Sequence, residues 1–423
     1  MGEGILRLLA DQAGSIERRT GTSIEVKRVV ARDAQKQRTE LLGDRLSFDP
    51  EDILGDEEID IVVEVIGGLE PAAGYVRRAI EAGKSVVTAN KAMLAEHGHE
   101  LISLSEERGV DLYFEAAVAG GIPVIRVLRE ALASDTVVAL RGIVNGTSNY
   151  VLSEMREKGL DFDVALRAAQ ERGYAEADPT LDIGGGDAAH KLTILATLAF
   201  GAQVHPSQVS VEGIDQIAAI DMEMAARFGY VIKPLAIGAE LDDGSLDLRV
   251  HPALVPLSSV LASIGGAMNV VVLEGAMLGP CLLSGYGAGA LPTAMSVVSD
   301  IVDVGRNLVT GASGRVPQRA WRGEHLLRRE VAEPGQHVCR WYLRFSAVDR
   351  PGVLARIAGV LGAFDVSIEQ MIQQGREASS EAPVQVVMLS HEAREMNVRH
   401  ALREIQMLTG IVEPPRALRI EPS

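Results

Sequence analysis

Four ionisable side chains, Glu176, Asp182, Asp187 and Lys191, fall within the single stretch GYAEADPTLDIGGGDAAHKLTIL, residues 173–195. Asp187 and Lys191 stand one helical turn apart and so share a helix face. On a solvated surface such a pair contributes only about 0.3–0.5 kcal/mol. Here the helix continues from Leu192 to Phe200 without a charge, which predicts burial. A buried carboxylate and ammonium need partners, and these are either each other, in a structural salt bridge, or a polar substrate. The three glycines at 184–186 make the turn before the helix adaptable, so all four charges are candidates for one site.

The elements that must position this stretch alternate along the chain. Residues 1–20 read as a helix, with Ile5, Leu8, Leu9 and Ile16 near helical spacing, and Ile24 to Val30 reads as a strand ending at Arg32-Asp33. Ile59 to Ile66 is an almost continuous apolar run, the mark of a strand covered on both faces. A helix over 70–81, a strand over 85–88, a helix over 92–107 and a strand over 111–116 follow. This order predicts an α/β, Rossmann-like, doubly wound parallel sheet. Ligands of such sheets gather beyond the carboxyl ends of strands. The turn Ile66-Gly67-Gly68 and Lys91 are therefore cofactor-facing candidates, with a merely solvated lysine as the plain alternative for Lys91.

A dinucleotide-binding sheet opens with a strand running into GxGxxG at a helix N-terminus. No such strand precedes Met1-Gly2-Glu3-Gly4. Either Gly2 is the last glycine of a fingerprint whose first strand is missing upstream, or it belongs to an ordinary helix. Asp33 lies where a ribose-contacting acid is expected, and Arg32 beside it suits a 2′-phosphate, so NAD and NADP both stay open.

From Pro123 a second region begins, with a helix over 124–132, a strand over 136–144, further helices, and a strand-rich part from about 229 to 285. A polar, Arg/Gly/Glu-rich linker follows. Residues 341–347 and 384–390 then read as strands, and 351–364 and 395–408 as helices, a compact βαββα pattern. The expected domains are a cofactor domain at 1–125, to which helix 291–310 returns, and an α+β substrate and dimerisation domain at 126–310. A linker at 311–340 and a C-terminal domain at 341–423 complete the chain.

Bulk properties narrow the classes of function. A formal charge of −17 over 423 residues argues against nucleic acid and anionic membranes as partners. Two cysteines, Cys281 and Cys339, without CxxC spacing exclude a disulfide framework and a cysteine-built zinc site. Apolar runs such as Leu192 to Val204 fall short of the about 20 residues that span a bilayer. A cytoplasmic enzyme is expected.

Together these blocks resemble homoserine dehydrogenases. The stretch 173–195 is similar to that family's most diagnostic segment, and TANKA (88–92), FEAAVAGGIPVI (114–125), NGTSNY (145–150) and GYGAGALPTA (285–294) sit in the family's order. The tail with VDRPGVL (348–354) is similar to an ACT domain, a ferredoxin-like regulatory module that binds amino acids. The resemblance implies reversible NAD(P)-linked interconversion of L-homoserine and L-aspartate 4-semialdehyde, in threonine and methionine biosynthesis. It implies Lys191 as proton donor and acceptor at the substrate oxygen, which near neutral pH requires burial or a neighbouring cation to lower its pKa. Glu176, Asp187, Asp182 and Thr147 are implied at the substrate, Lys91 at the nicotinamide–substrate boundary, and Gly173 and Gly289 along the cofactor. A monovalent cation site, such as one for Na+, is implied at Glu115 and the carbonyls of Val118, Gly120 and Ile122, with an ion-free turn as the alternative. Threonine is the implied effector at the tail, and a homodimer or homotetramer the implied assembly. Two other readings stand beside this one. An aspartate-semialdehyde dehydrogenase would need a nucleophilic cysteine, and a non-catalytic amino-acid-responsive regulator would account for the missing fingerprint.

Overall fold

Parallel strands and the helices that cover them form the first third of the computed structural model, which describes residues 1–33, 40–374 and 383–422. The N-terminal helix is divided at Gln12 into α1 (Gly2–Asp11) and α2 (Ala13–Thr20). Strand β1 (Val29–Val30) is shorter than its apolar run, because its neighbour β2 (Leu46–Ser47) is itself two residues long. After α3 (Glu51–Leu54) come β3 (Ile61–Glu64), α4 (Ala72–Glu81), β4 (Ser85–Thr88), α5 (Lys91–Arg108) and β5 (Leu112–Tyr113). Strands β3, β4 and β5 pair in parallel, with Val62 opposite Val86 and Val86 opposite Leu112. Among the described residues β1–β2 and β3–β4–β5 are two separate sheets. Helix α5 starts where the Asn90 side chain accepts the Met93 N–H at 3.2 Å, so the helix itself opens on Lys91.

The second region begins with a tight turn over 115–117 and α6 (Val124–Arg126), which runs on as a π-helix over 127–131. Then come β6 (Val137–Ile143), α7 (Gly146–Lys158), α8 (Phe162–Glu171), α9 (Thr180–Ile183), α10 (Gly186–Phe200) and β7 (Ser210–Val211). Helix α11 (Ala219–Arg227), β8 (Tyr230–Glu240), β9 (Leu246–Pro256), α12 (Val260–Ser263), β10 (Met268–Gly275) and β11 (Gly279–Tyr286) complete the region. The antiparallel order β11-β10-β6-β8-β9 is covered by α10, whose uncharged run is buried from Leu192 to Phe200 apart from the partly exposed Thr197. Helix α13 (Ala290–Thr310) lies against the first region, packing Ala294, Val297 and Ile301 with Ile5 and Leu9 of α1 and Val87 of β4.

Beyond the linker, β12 (Val338–Ala347), α14 (Val353–Ala363), β13 (Ile368–Gln374), β14 (Val384–Ser390), β15 (Ala393–Arg394), α15 (Glu395–Gln406) and β16 (Arg416–Ile420) follow. The order β16-β12-β14-β13 gives a ferredoxin-like βαββαβ unit, in which β13 and β16 are strands that the sequence reading did not place. Strand β16 also pairs in parallel with β9, with Arg419 opposite Ala253, so the tail's sheet continues that of the second region. Among the described residues no helix is long and apolar enough to cross a membrane.

Candidate active site

The uncharged run of α10 binds that helix into the core and fixes what its first turn presents. Asp187 and Lys191 are both buried there, and Lys191 Nζ donates to Asp187 Oδ2 at 2.7 Å and to the Val144 carbonyl at 2.6 Å. An ammonium has three donors, so one is left for a further oxygen. From the first region Lys91, the opening residue of α5, brings its Nζ to 3.2 Å from Asp187 Oδ1. One carboxylate thus joins lysines from two domains. Burial alone raises the Asp187 carboxyl. The charges of Lys191 and Lys91, with hydrogen bonds from Lys191 and Asn145, outweigh it and hold the group well below the usual carboxylate range.

Asn145 is the residue that reasoning from charge missed. Its Nδ2 donates to Asp182 Oδ1 at 2.7 Å and to Asp187 Oδ2 at 2.8 Å, while its Oδ1 accepts the Ser148 N–H and caps α7. The bridge explains how two carboxylates come together without a cation between them. The only signal in the sequence was its place at the head of NGTSNY, since a neutral side chain stands out in no charge pattern. Thr147 donates its hydroxyl to the Tyr174 carbonyl at 2.7 Å, and Gly173 lies in the turn just after α8.

Glu176 does not join the other three charges. Its side chain is exposed and makes no hydrogen bond or ion pair among the described residues, while Gln170 Nε2 donates to the backbone carbonyls of 176 and 177. It stands on the rim, separate from the Lys91–Asp187–Lys191 group.

The cofactor-facing candidates line the crevice beyond β3 and β4. Glu64 accepts the N–H groups of Ile66 and Gly67, and Thr88 donates to its other oxygen at 2.6 Å. Asn90 donates to the Gly68 carbonyl at 2.7 Å, tying that turn to the start of α5. Gly67 and Gly68 both adopt positive φ, and nothing lies within 4 Å of where a Cβ would stand. The result is an open, backbone-lined floor of the kind a dinucleotide needs. Gly2 opens α1, and Arg32 and Asp33 are exposed in the bend after β1. A fingerprint strand has no counterpart among residues 1–33.

The turn over 118–122 packs against the 285–294 segment: Gly121 N–H donates to the Tyr286 carbonyl, and Gly289 caps α13. Glu115 accepts the N–H groups of Ile125 and Arg126 at 2.9 and 2.8 Å, the Gly120 carbonyl accepts from Ser296, and the Ile122 carbonyl accepts the Val124 N–H. Each of these oxygens keeps a lone pair. One carboxylate with backbone carbonyls is a donor set that suits a hard cation.

Comparison with known proteins accords with this geometry. Residues 123–302 match the family profile described as "Homoserine dehydrogenase", residues 1–115 "Homoserine dehydrogenase, NAD binding domain", and residues 341–408 "ACT domain". The homoserine dehydrogenase of Neisseria gonorrhoeae is 41% identical over 421 residues, covering 100% of this chain and 96% of the relative. The chain belongs to the homoserine dehydrogenase family. A solved homoserine dehydrogenase from Thiobacillus denitrificans superposes with a TM-score of 0.93 at 43% identity, covering 99% of this chain and 95% of that one. A hyperthermophilic archaeal homoserine dehydrogenase in complex with NADPH gives a TM-score of 0.61 at 26% identity over 72% of this chain and 94% of its own. Membership of the homoserine dehydrogenase family removes the need for a cysteine nucleophile, and the cysteines agree. Cys281 lies within β11, and burial pushes the Cys339 thiol up to about 12.

Proposed function

We propose that Lys191 gives and takes the proton at the substrate oxygen in the reversible, NAD(P)-linked interconversion of L-homoserine and L-aspartate 4-semialdehyde. The protein is an NAD(P)-dependent oxidoreductase of the homoserine dehydrogenase family. The observation that supports the role of Lys191 is its fixed ammonium, with two donors engaged by Val144 and Asp187 and one left over. In the reducing direction that remaining donor protonates the carbonyl oxygen as hydride arrives, and in the oxidising direction the neutral amine accepts the hydroxyl proton. When bound, the nicotinamide supplies or accepts the hydride. Asp187 orients Lys191, Lys91 stands between cofactor and substrate, and Glu176, Asp182 and Thr147 complete the substrate's surroundings, Glu176 from the rim by pairing with its ammonium.

Ile66, Gly67, Gly173 and Gly289 offer backbone to the cofactor, with Gly2 and Arg32 at its phosphate and ribose end. Glu115, with the carbonyls of Val118, Gly120 and Ile122, holds a monovalent cation such as Na+. The cation reading predicts that replacing sodium with tetramethylammonium lowers turnover. Threonine acts at the ACT tail, and the protein works as a homodimer or homotetramer in the cytoplasm.

Following NADP+ and NAD+ reduction by L-homoserine in parallel, with and without threonine, tests these assignments together. The expected result is turnover with at least one cofactor and a threonine-dependent fall in rate. No reduction of either cofactor would contradict the reading.

A further inference from the structure

Away from the catalytic groups, α5 and α10 enclose a second cavity of about 410 Å³, further along the same two helices and roofed by the linker. This falls within the range of small-molecule sites, about 300–1,000 Å³. Its floor is apolar, with Leu94 and Ile102 from α5, Ile194 and Leu198 from α10, and Phe114 and Val204 beside them. The cationic groups come from the linker as Arg319, Arg328 and Arg329.

Arg319 is 1% exposed, an unusual place for a guanidinium. Its Nη1 donates to His99 Nδ1 at 2.9 Å, and its Nη2 to Ser103 at 3.1 Å and Glu106 at 2.7 Å. Its Nε is buried without a hydrogen-bond partner among the described residues. Leaving such a donor unpaired is costly, and native proteins rarely do so. Because Arg319 always donates, His99 accepts at Nδ1 and carries its proton on Nε2 as a further donor. Burial and the charges of Arg319 and Arg328 keep its pKa below the ordinary value. At the mouth Arg328 is exposed and has no ion-pair partner among the described residues, whereas Arg329 is paired with Glu240 at 2.9 Å. The one carboxylate in the lining, Glu96, is engaged by His205 at 3.1 Å.

We propose that this cavity binds a small carboxylate with an apolar body, its carboxyl group between Arg319 and Arg328 and its apolar part on the α5–α10 floor. The site is separate from the catalytic groups and from the ACT tail, so its existence does not depend on the roles given above. It bridges the two helices that carry Lys91 and Asp187, and an occupant would touch both.

Calorimetric titration of the full chain with 4-methylpentanoate, L-leucine and isoamylamine tests it. Arg328→Glu removes the free cation, and Thr197→Leu fills the wall. Binding of at least one of the two carboxylates is expected, with a Kd on the order of 1 mM, weakened about tenfold or more in at least one variant. Isoamylamine should give no binding. If only L-leucine binds, the occupant is an amino acid whose ammonium meets Glu96; if 4-methylpentanoate binds equally well, a simple acid suffices. Three results would overturn the proposal: neither carboxylate binding, both variants binding as the parent protein does, or the amine binding as tightly as the acids.

Discussion

At Asp187 a single carboxylate receives Lys191, Lys91 and Asn145, so each of these side chains depends on the others for its position. Asn145→Ala removes the bridge between Asp182 and Asp187 and leaves two nearby carboxylates with fewer donors. The expected effect is a fall in kcat of about tenfold or more with intact folding, checked by steady-state rates alongside a thermal melt. An unchanged rate would show that the bridge only caps α7. Much of this site was legible in the sequence: the spacing of Asp187 and Lys191 and the uncharged run behind them indicated a buried charged pair. Asn145 was not, because a neutral bridging side chain carries no period or charge signal. Nor did the sequence show that Glu176 would stand exposed and apart from the Lys91–Asp187–Lys191 group, since proximity along the chain says nothing of which way a loop turns its carboxylate.

The elements that hold the site carry their own tests. Gly120 has φ +52, and a Cβ there would lie 2.4 Å from the Gly287 carbonyl oxygen, so backbone would have to move. Gly120→Ala is expected to cost about 2–4 kcal/mol, read from the urea midpoint. On β8, burial and the nearby Arg156 push the Lys233 amine down to about 8. An unfolded lysine titrates near 10.4. Between those values the unfolded chain holds the proton and the folded chain does not, so this group makes stability rise as pH increases from about 8 to about 10.4. Below about 8 the penalty is present in full. Lys233→Met should remove that rise, on the order of 3 kcal/mol, when its urea midpoints at about pH 7.5 and about pH 10 are compared with those of the parent. The apolar runs at 59–66 and 85–88 marked their strands well. β16 went unread because RALRI is too short and too charged to alternate clearly, and its partner β9 lies far back in the chain. The helix expected over 124–132 loses its regular turn to a π-helical stretch, which hydrophobic spacing does not register.

Across the whole molecule, the ACT tail is joined to the catalytic sheet and is not suspended from it. Arg419 on β16 binds Glu212 beyond β7 at 2.8 and 3.0 Å, and Glu395 on α15 at 2.8 and 3.1 Å. Two residues on, the Ile214 N–H donates to the Ile183 carbonyl at 2.8 Å, in the helix just ahead of the glycine turn that leads to Asp187. Arg419→Met leaves Glu395 buried without this partner and is expected to destabilise the protein by about 3–5 kcal/mol, seen as a lower urea midpoint. It should also weaken any response to threonine, measured as a shift in the inhibition midpoint. The central claim, that Lys191 moves the proton, is tested most directly by Lys191→Ala in homoserine oxidation, with kcat and homoserine affinity measured separately. The account predicts a loss of kcat of at least about 10²-fold with affinity nearly unchanged. Undiminished turnover in that variant would contradict it.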